Sequence, residues 1–252
     1  MVKKRYHFEC IDSTNKKAKE LAQDGCEHGT LITADAQSAG VGRRGRSWSS
    51  ERNTGIYMSM VLRPDIEVAD ASMLTIVAAL AVAKAIQNQL KDSSLIPYIK
   101  WPNDIVINKK KVCGILTEMS LEQSQMEYII VGIGINVTNT VFPEEITKTA
   151  SSIFVESGQK IDREQLISAV WEYFKQYFEV FMQTKDLQNL RAEYENLLAN
   201  KEKEVKVLDP SGAYEGIARG ITNKGELFVE TAEGLQQVSS GEVSVRGIYG
   251  YV

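Results

Sequence analysis

The sequence predicts a mixed α+β fold, with an α+β domain over residues 1–200 followed by a small all-β domain over residues 201–252. A chain of 252 residues with 43% hydrophobic content can bury one large core or two unequal ones. Up to about residue 200, short alternating segments are interleaved with segments of helical period. Beyond Lys201 there are only short alternating segments separated by glycine-containing turns, which is typical of a small β-barrel.

The first third predicts strand, helix and strand. Alternation from Tyr6 to Cys10 predicts a strand, Ser13 is a plausible N-cap of a helix reaching about Asp24, and residues 30–36 read as a second strand. Between the first two elements lies the run Asp12-Ser13-Thr14-Asn15. These residues either cap the helix or present hydroxyl and amide groups to a polar head group at the positive helix end.

A glycine–arginine loop spans residues 40–48, read Gly-Val-Gly-Arg-Arg-Gly-Arg-Ser-Trp. It matches the dinucleotide pattern G-x-G-x-x-G and nearly the P-loop pattern, with Arg46 in place of the lysine. Both motifs require a helix directly afterwards. The sequence instead continues through a polar stretch into the alternation of Ile56, Met58 and Met60, which predicts a strand.

We therefore interpret residues 40–48 as a flexible cationic loop that wraps an anion, against the alternative of a solvated basic connector. Glycine allows close backbone approach, and arginine offers a fork of donors to carboxylate or phosphate. Trp48 could stack on a purine. Gln37, just before the loop, is either loop surface or a ligand-binding amide.

A helix over residues 70–90 is predicted to lie buried behind the sheet. The following Trp101-Pro102 pair interrupts or ends a strand, which gathers Lys100, Asn103 and Asp104 at a strand end. Asp104 could hold Mg²⁺ or orient a donor, and Lys100 could meet a phosphate; a plain turn is the alternative.

A hairpin turn at Asn108-Lys109-Lys110 joins strands predicted over residues 112–118 and 126–137. Lys111 beside that turn is either solvated or functional. Gly132 and Gly134 weaken a central strand and indicate close approach by a ligand, with the Asn136 amide at the strand end.

Helices dominate the region before the β domain. Phe142-Pro143 suggests a helix start, and Asp162 with Gln165 resembles a capping box opening an aromatic-rich helix over residues 166–182. A further helix is predicted from Asp186 to near Asn200.

Composition excludes several classes of protein. The net charge of −4 provides no general basic field for nucleic acid, and the positive charge is local, which favours a small anionic ligand. Three scattered cysteines indicate reduced thiols in the cytoplasm, and two histidines cannot build a common zinc site. No apolar run reaches the length of a membrane helix, and no signal peptide is predicted.

Taken jointly, these motifs resemble the bacterial biotin–protein ligases (biotin–[acetyl-CoA-carboxylase] ligases). The match covers about residues 5–140, and the terminal β-module, which ends with the segment from Gly241 to Arg246, matches the family's SH3-like domain. The matching pieces occur in the family's order: residues 12–15, Gln37 with 39–48, 55–59, 100–104, 111–116 with Glu118, and 132–137. Val41 is a departure, since many members have arginine there.

The resemblance implies a catalytic domain related to class II aminoacyl-tRNA synthetases. It implies catalytic roles for Arg43, Lys111, Asp104 and Lys100, with Asp104 also the candidate magnesium ligand. The implied biotin contacts are Ser13, Thr14, Asn15, Gln37, Val41, Gly42, Arg43, Lys111 and Gly114. The implied nucleotide contacts are Arg43, Arg46, Trp48, Asn103 and Asn136.

The implied reaction uses ATP and Mg²⁺ to convert biotin to biotinyl-5′-AMP, and then transfers biotin to a lysine of a biotin carboxyl carrier protein. Two anions must meet in the first step, so cationic groups are needed to offset their repulsion. The resemblance is compatible with a homodimer, whereas DNA binding and repression are not expected, because the chain starts directly at the catalytic domain. The alternatives are a lipoate ligase of related fold, a nucleic-acid-binding module and a biotin-binding protein without catalysis.

Overall fold

A computed structural model describes residues 4–123, 125–209, 212–241, 243–247 and 251–252. The larger part of the chain contains seven strands and five helices. The strands are β1 Lys4–Phe8, β2 Thr30–Ala34, β3 Gly55–Leu62, β4 Tyr98–Lys100, β5 Asp104–Ile107, β6 Lys110–Glu122 and β7 Gln125–Asn136. The helices are α1 Thr14–Gln23, α2 Met73–Gln89, α3 Ile153–Ser157, α4 Arg163–Thr184 and α5 Arg191–Leu197.

One mixed sheet organises this larger part, in the strand order β1-β2-β3-β7-β6-β5-β4. β1 and β2 are parallel, and the other pairs are antiparallel. Alternation separates the two faces: Met58 and Met60 of β3 pack into the main core with α2, whereas Val61 packs with α1 on the other side. The side chain of Ser59 lies on the α1 face as well, because it contacts Thr14.

Helix α2 is the centre of the main core. Its residues are apolar on all sides, and most are fully buried between the sheet and α4. By length and composition alone, the segment Val68–Gln89 is apolar enough to cross a membrane. Its burial under the sheet and α4 identifies it instead as the core helix predicted from residues 70–90.

A second, antiparallel sheet follows, in the order β11-β10-β9-β8-β12. Its strands are β8 Lys203–Asp209, β9 Gly212–Ile221, β10 Leu227–Thr231, β11 Gly234–Val238 and β12 Ser244–Gly247. The buried indole of Trp101 donates to the Gly225 carbonyl at 2.9 Å, and Lys224 Nζ lies 2.7 Å from Asp70 Oδ1. The predicted fold class is confirmed, while the domain boundary at residue 200 stays a prediction because one hydrophobic core runs across it.

The structure shortens two predicted helices. Only one short turn, Glu144–Ile146, follows Pro143, and α5 begins five residues later than expected. The Asp186 carboxylate accepts from Gln188 N, and Leu187 N donates to the Asn223 carbonyl, so these groups are bonded outside a helix. The predicted turn residues Pro210 and Ser211, and Glu242, lie outside the described residues.

Both predicted helix caps can be compared with the structure. Asp162 caps α4 as predicted, since its carboxylate accepts from Gln165 N at 2.9 Å. Ser13 occupies the N-cap position of α1 but its side chain makes no capping bond. The Thr14 N–H donates instead to Gln37 Oε1 at 2.7 Å, which places Gln37 at the positive end of the helix.

Candidate active site

A solvent-open cleft lies on the sheet face that carries α1. The cleft combines polar groups at one end with the Leu116 side chain and the backbone of β6 and β7, while the side chains of Ile115 and Ile133 point into the main core on the other face. The residues that line it are Ser13, Thr14, Asn15, Gln37, Val41, Gly42, Arg43, Trp48, Asn103, Lys111, Gly114, Ile115, Leu116, Gly132, Ile133 and Gly134.

The polar end of the cleft is a hydrogen-bond network at the start of α1. Gln37 Oε1 accepts from the Thr14 amide at 2.7 Å and from its hydroxyl at 3.1 Å, while Gln37 Nε2 donates to Ser50 Oγ at 2.8 Å. Ser59 Oγ lies 2.8 Å from Thr14 Oγ1 and 2.6 Å from Asn15 Oδ1. These hydrogen bonds fix the Gln37 side chain at the cleft, which supports its interpretation as a ligand-binding amide rather than loop surface.

Asn15 is fixed from both ends of its amide. Its nitrogen donates to Glu118 Oε2 at 2.7 Å, and Lys19 Nζ holds the other carboxylate oxygen of Glu118 at 2.6 Å. The amide crosses β7 at Gly132, where an added Cβ would lie 2.0 Å from Asn15 Oδ1. Gly132 is therefore required by a protein side chain, and because it also lines the cleft, close approach by a ligand stays a prediction.

Gly134 is likewise required by a protein side chain, that of Trp48. It pairs with Gly114 across β6 and β7, and the indole of Trp48 lies over both. An added Cβ would lie 2.5 Å from Trp48 Cε2 at Gly134 and 2.9 Å from Cζ3 at Gly114. Trp48 Nε1 is buried with no acceptor among the described residues, so the ring still has a donor to satisfy.

Lys111 turns into the cleft because of a β-bulge. β5 and β6 shift register between Ile105 and Val106, so that Ile105 pairs with Cys113 and Val106 pairs with Lys111. The extra residue re-aims the Lys111 side chain toward the face that carries Gly114. Lys111 Nζ lies 2.6 Å from Asp104 Oδ1 and 5.4 Å from the centre of the Trp48 ring.

Lys100 and Asp104 are paired directly across β4 and β5, and both side chains are buried. Burial lowers the pKa of Lys100 to about 8, although the charge of Asp104 opposes that change. Burial also disfavours the charged form of Asp104, but Lys111 and Lys100 outweigh it and lower the pKa of the carboxyl. The strand end thus holds one carboxylate between two lysines.

Arg43 reaches the cleft from the loop. Its guanidinium donates to Asn103 Oδ1 at 2.9 Å and to the backbone carbonyls of Ser240 and Gly241 in the second sheet. Burial lowers the pKa of Arg43, with Asp104 opposing. Residues 43–45 form one short turn, and the chain then enters β3 rather than a long helix, as predicted.

The remaining predicted residues are placed differently. Val41 lines the cleft and is half-exposed, and it forms a small bridge with Ser47. The described lining does not include Arg46, which is exposed, or Asn136, whose buried amide donates to the Ser151 carbonyl at 3.0 Å. Lys100 and Asp104 lie behind Lys111 rather than in the lining.

Sequence reasoning missed Tyr251. Its hydroxyl donates to Asp104 Oδ2, and Lys100 Nζ lies 4.3 Å from the centre of its ring. The residue is more than a hundred positions from its partners, and no pattern in the C-terminal residues signals the contact.

The described residues do not fit a magnesium site held by the protein alone. Both Asp104 oxygens are already engaged, by Lys111 and by Tyr251. Among the residues described, no three His, Cys, Asp or Glu side chains cluster closely enough to hold a metal ion. Asp104 as a magnesium ligand stays a prediction that this arrangement does not favour.

Comparisons with known proteins give matches to two family models. Residues 7–136 match the Biotin/lipoate A/B protein ligase family, and residues 202–246 match the Biotin protein ligase C terminal domain. The bifunctional ligase/repressor BirA of Bacillus spizizenii is 38% identical over 237 residues, which covers 93% of this chain and 72% of that protein. The biotin–[acetyl-CoA-carboxylase] ligase of Paracoccus denitrificans is 29% identical over 239 residues, covering 94% and 98%.

A solved structure is similar over almost its whole length. It is the biotin protein ligase from Aquifex aeolicus in complex with biotin and ATP. The two chains superpose with a TM-score of 0.84 at 30% identity, covering 97% of this chain and 99% of that one.

Proposed function

The chain belongs to the biotin/lipoate A/B protein ligase family, and on that premise we propose that it activates biotin with ATP and transfers the biotinyl group to a carrier-protein lysine. The observation that carries the proposal is the cleft itself. One pocket combines the polar start of α1, an aliphatic wall, the Trp48 ring and the cations Lys111 and Arg43. Biotin needs polar contacts for its ureido ring, apolar walls for its valeryl chain and cations for its carboxylate.

The ureido ring is proposed to bind at the start of α1. Ser13, Thr14, Asn15 and Gln37 supply hydroxyl and amide groups there, and their network fixes them before any ligand arrives. The valeryl chain then lies along the Leu116 side chain and the adjoining backbone of β6 and β7, which directs the carboxylate toward Lys111 and Gly114. Gly42 and Val41 close over the ligand from the loop.

In the first step, a carboxylate oxygen of biotin attacks the α-phosphorus of ATP, and the bond to the pyrophosphate oxygen breaks. Lys111 Nζ is proposed to hold the attacking carboxylate and the α-phosphate together, because their repulsion is the main obstacle. Arg43 adds a second cation from the opposite side. Mg²⁺ is proposed to enter as the counter-ion of the ATP phosphates, where it offsets their charge.

The nucleotide is proposed to bind beside Trp48, Asn103 and Asn136, with Arg46 reaching its phosphates. Trp48 covers Gly114 and Gly134 and has an unused N–H, and its flat ring suits stacking on adenine. Asn103 is anchored to β6 because its nitrogen donates to the Ile115 carbonyl at 3.0 Å. Arg43 bonds to Asn103, so the loop and the nucleotide side of the cleft are linked.

In the second step, the neutral amine of the carrier lysine attacks the carbonyl carbon of biotinyl-5′-AMP. The bond to the phosphate oxygen breaks, AMP leaves, and the nitrogen loses a proton. Asp104 and Lys100 lie close to this point and are proposed to help position the amine. Relatives named as biotin–[acetyl-CoA-carboxylase] ligases support a biotin carboxyl carrier domain as the acceptor.

The location of the protein, its assembly state and its lack of DNA binding are also proposals. A cytoplasmic location is supported by three free cysteines, Cys10, Cys26 and Cys113. A homodimer and the absence of DNA binding stay predictions.

The test compares biotin with lipoate as the acid in ATP–pyrophosphate exchange. We expect exchange with biotin and none above background with lipoate, followed by one added biotinyl group on a carrier domain measured by intact mass. Exchange with lipoate alone would overturn the proposal in favour of lipoate ligation. Tight biotin binding with no exchange would indicate a binding protein without catalysis.

A further inference from the structure

The tail, residues Tyr251 and Val252, reaches the buried cluster of Lys100, Asp104 and Lys111 behind the cleft through the Tyr251 side chain. Tyr251 places its hydroxyl on Asp104 Oδ2 and its ring over Lys100 Nζ at 4.3 Å. The other oxygen of the same carboxylate is 2.6 Å from Lys111 Nζ. Direct contacts therefore connect Tyr251 through Asp104 to the Lys111 ammonium, which is proposed to act in adenylation.

The tail is held in this position by the end of β12. An added Cβ on Gly247 would lie 2.4 Å from the carbonyl carbon of Val252 and 2.6 Å from its oxygen. Contacts that short are not tolerated, so one of the two segments would have to move, and the absence of a side chain at residue 247 permits the tail to pack there. Gly247 pairs with Val205 in the second sheet and does not line the cleft.

The phenol is suited to donating. Burial raises the pKa of Tyr251, and the charge of Asp104 and their hydrogen bond raise it further, so the hydroxyl keeps its proton at physiological pH. Asp104 is itself buried, with an exposed fraction of 7%. A buried carboxylate oxygen without its donor would be costly, so it would turn to find another one.

We propose that Tyr251 is a positioning residue for adenylation: it fixes Asp104, and Asp104 aims Lys111 at the carboxylate and α-phosphate. This inference rests on the proposed function. The backbone of Lys111 is fixed by β6, by the Thr149 carbonyl, which accepts from its N–H at 2.8 Å, and by Ser151 N, which donates to its carbonyl at 2.9 Å. Its long side chain is otherwise rotatable, so an anchored carboxylate is needed to hold its ammonium in one place.

The test is Tyr251→Phe, which keeps the ring over Lys100 and removes only the hydroxyl. We expect kcat for ATP–pyrophosphate exchange to fall roughly tenfold, as for a lost buried hydrogen bond. The Kd for biotin should stay within about twofold, because the ureido site at α1 is untouched.

Gly247→Ala provides a second route to the same result. It displaces the tail without changing any side chain of the cluster, so it should reproduce the selective loss of exchange. Tyr98→Phe serves as the matched control, because Tyr98 is an exposed tyrosine on β4 away from the lining, and it should behave as wild type.

The outcomes separate the inference from the proposed function. Wild-type protein without exchange contradicts the proposed function itself. Active wild type with unchanged exchange in Tyr251→Phe overturns the inference. Equal losses in biotin affinity and exchange, together with a lowered melting temperature, would also overturn it, because they would assign Tyr251 a merely structural role.

Discussion

Two sets of cations lie in the cleft or directly behind it, and they are held in opposite ways. Lys111 and Lys100 belong to strands of the central sheet and share one buried carboxylate, Asp104. Arg43 belongs to the glycine–arginine loop of residues 40–48, where Arg44, Gly45 and Arg46 are exposed. The acceptors of its guanidinium are neutral: the Asn103 amide oxygen and two backbone carbonyls of the second sheet.

The difference indicates a division of labour. The sheet cations are pre-organised, so they can act on a developing charge without first being ordered. Arg43 can exchange its neutral acceptors for a carboxylate or phosphate, which forms stronger hydrogen bonds, without leaving a buried anion unpaired. We therefore assign formation of the adenylate to the sheet and its retention to the loop.

Lys111→Ala is the largest test of this division. We expect the adenylation rate to fall by roughly 10²-fold or more, because the sheet cation that lines the cleft is lost and Asp104 faces the site alone. Lys109→Ala is the matched control, since Lys109 lies in the exposed turn of the same hairpin. Pyrophosphate release is the measurement, and a rate within threefold of wild type would return Lys111 to an ordinary hairpin lysine.

Arg43→Ala tests the loop. We expect the protein to fold and to make the adenylate more slowly, with at least about tenfold faster loss of the intermediate to solvent, because the loop no longer grips an anion. Arg44→Ala changes an exposed arginine of the same loop and should have a small effect. The check is the amount of biotinyl-5′-AMP that stays with the protein on gel filtration. Retention equal to wild type would contradict the role of Arg43.

Gly134→Ala tests the surface that both regions share. The added methyl group would lie 2.5 Å from the indole, so Trp48 must leave its place over the sheet. We expect the KM for ATP to rise by roughly three- to tenfold, with biotin affinity nearly unchanged, because stacking on a purine is worth about 1 kcal/mol. Steady-state kinetics with each substrate varied separately measure this, and a rise confined to biotin would place the ring against the wrong ligand.

The smallest expected effect is a pH dependence of stability that comes from Lys100. Its pKa is about 8 in the folded protein and 10.5 in the unfolded chain, so between these values the unfolded chain binds more protons. The free energy of unfolding should therefore gain about 1 kcal/mol per pH unit above pH 8 from this residue, and nothing below it. Lys100→Met should remove that gain.

Urea titrations of wild type and Lys100→Met between roughly pH 7 and 9.5 provide the measurement. Only the difference between the two proteins is informative, because burial raises the pKa of the Cys113 thiol and gives both of them an opposite slope. A difference that does not change with pH would show that Lys100 has an ordinary pKa.

Much of this fold could be predicted from the sequence because local patterns agree with it. The alternation around Met58 and Met60 and the Asp162 cap both act over short distances. The predicted start of a helix at Asp186 is wrong because Leu187 N donates to the Asn223 carbonyl, a partner that only the folded chain supplies. Propensity cannot anticipate a contact that depends on where another segment lies.

The same holds for the site: local patterns can be read from the sequence, whereas contacts between distant segments cannot. Gly132 and Gly134 in β7 indicate close approach, yet only the structure identifies Asn15 and Trp48 as the side chains that approach them. Simple alternation places Lys111 and Gly114 on opposite faces, and the bulge between them reverses that. Tyr251 is invisible in the sequence because its role comes from where the second sheet sets the tail.

The most direct test follows the intermediate itself. Wild type, Lys111→Ala and Arg43→Ala are incubated with biotin and MgATP, separated quickly from small molecules, and the biotinyl-5′-AMP bound and released is quantified for each protein. The division of labour predicts abundant bound adenylate in wild type, almost none formed by Lys111→Ala, and adenylate formed but mostly released by Arg43→Ala. Normal formation by Lys111→Ala together with full retention by Arg43→Ala would contradict it.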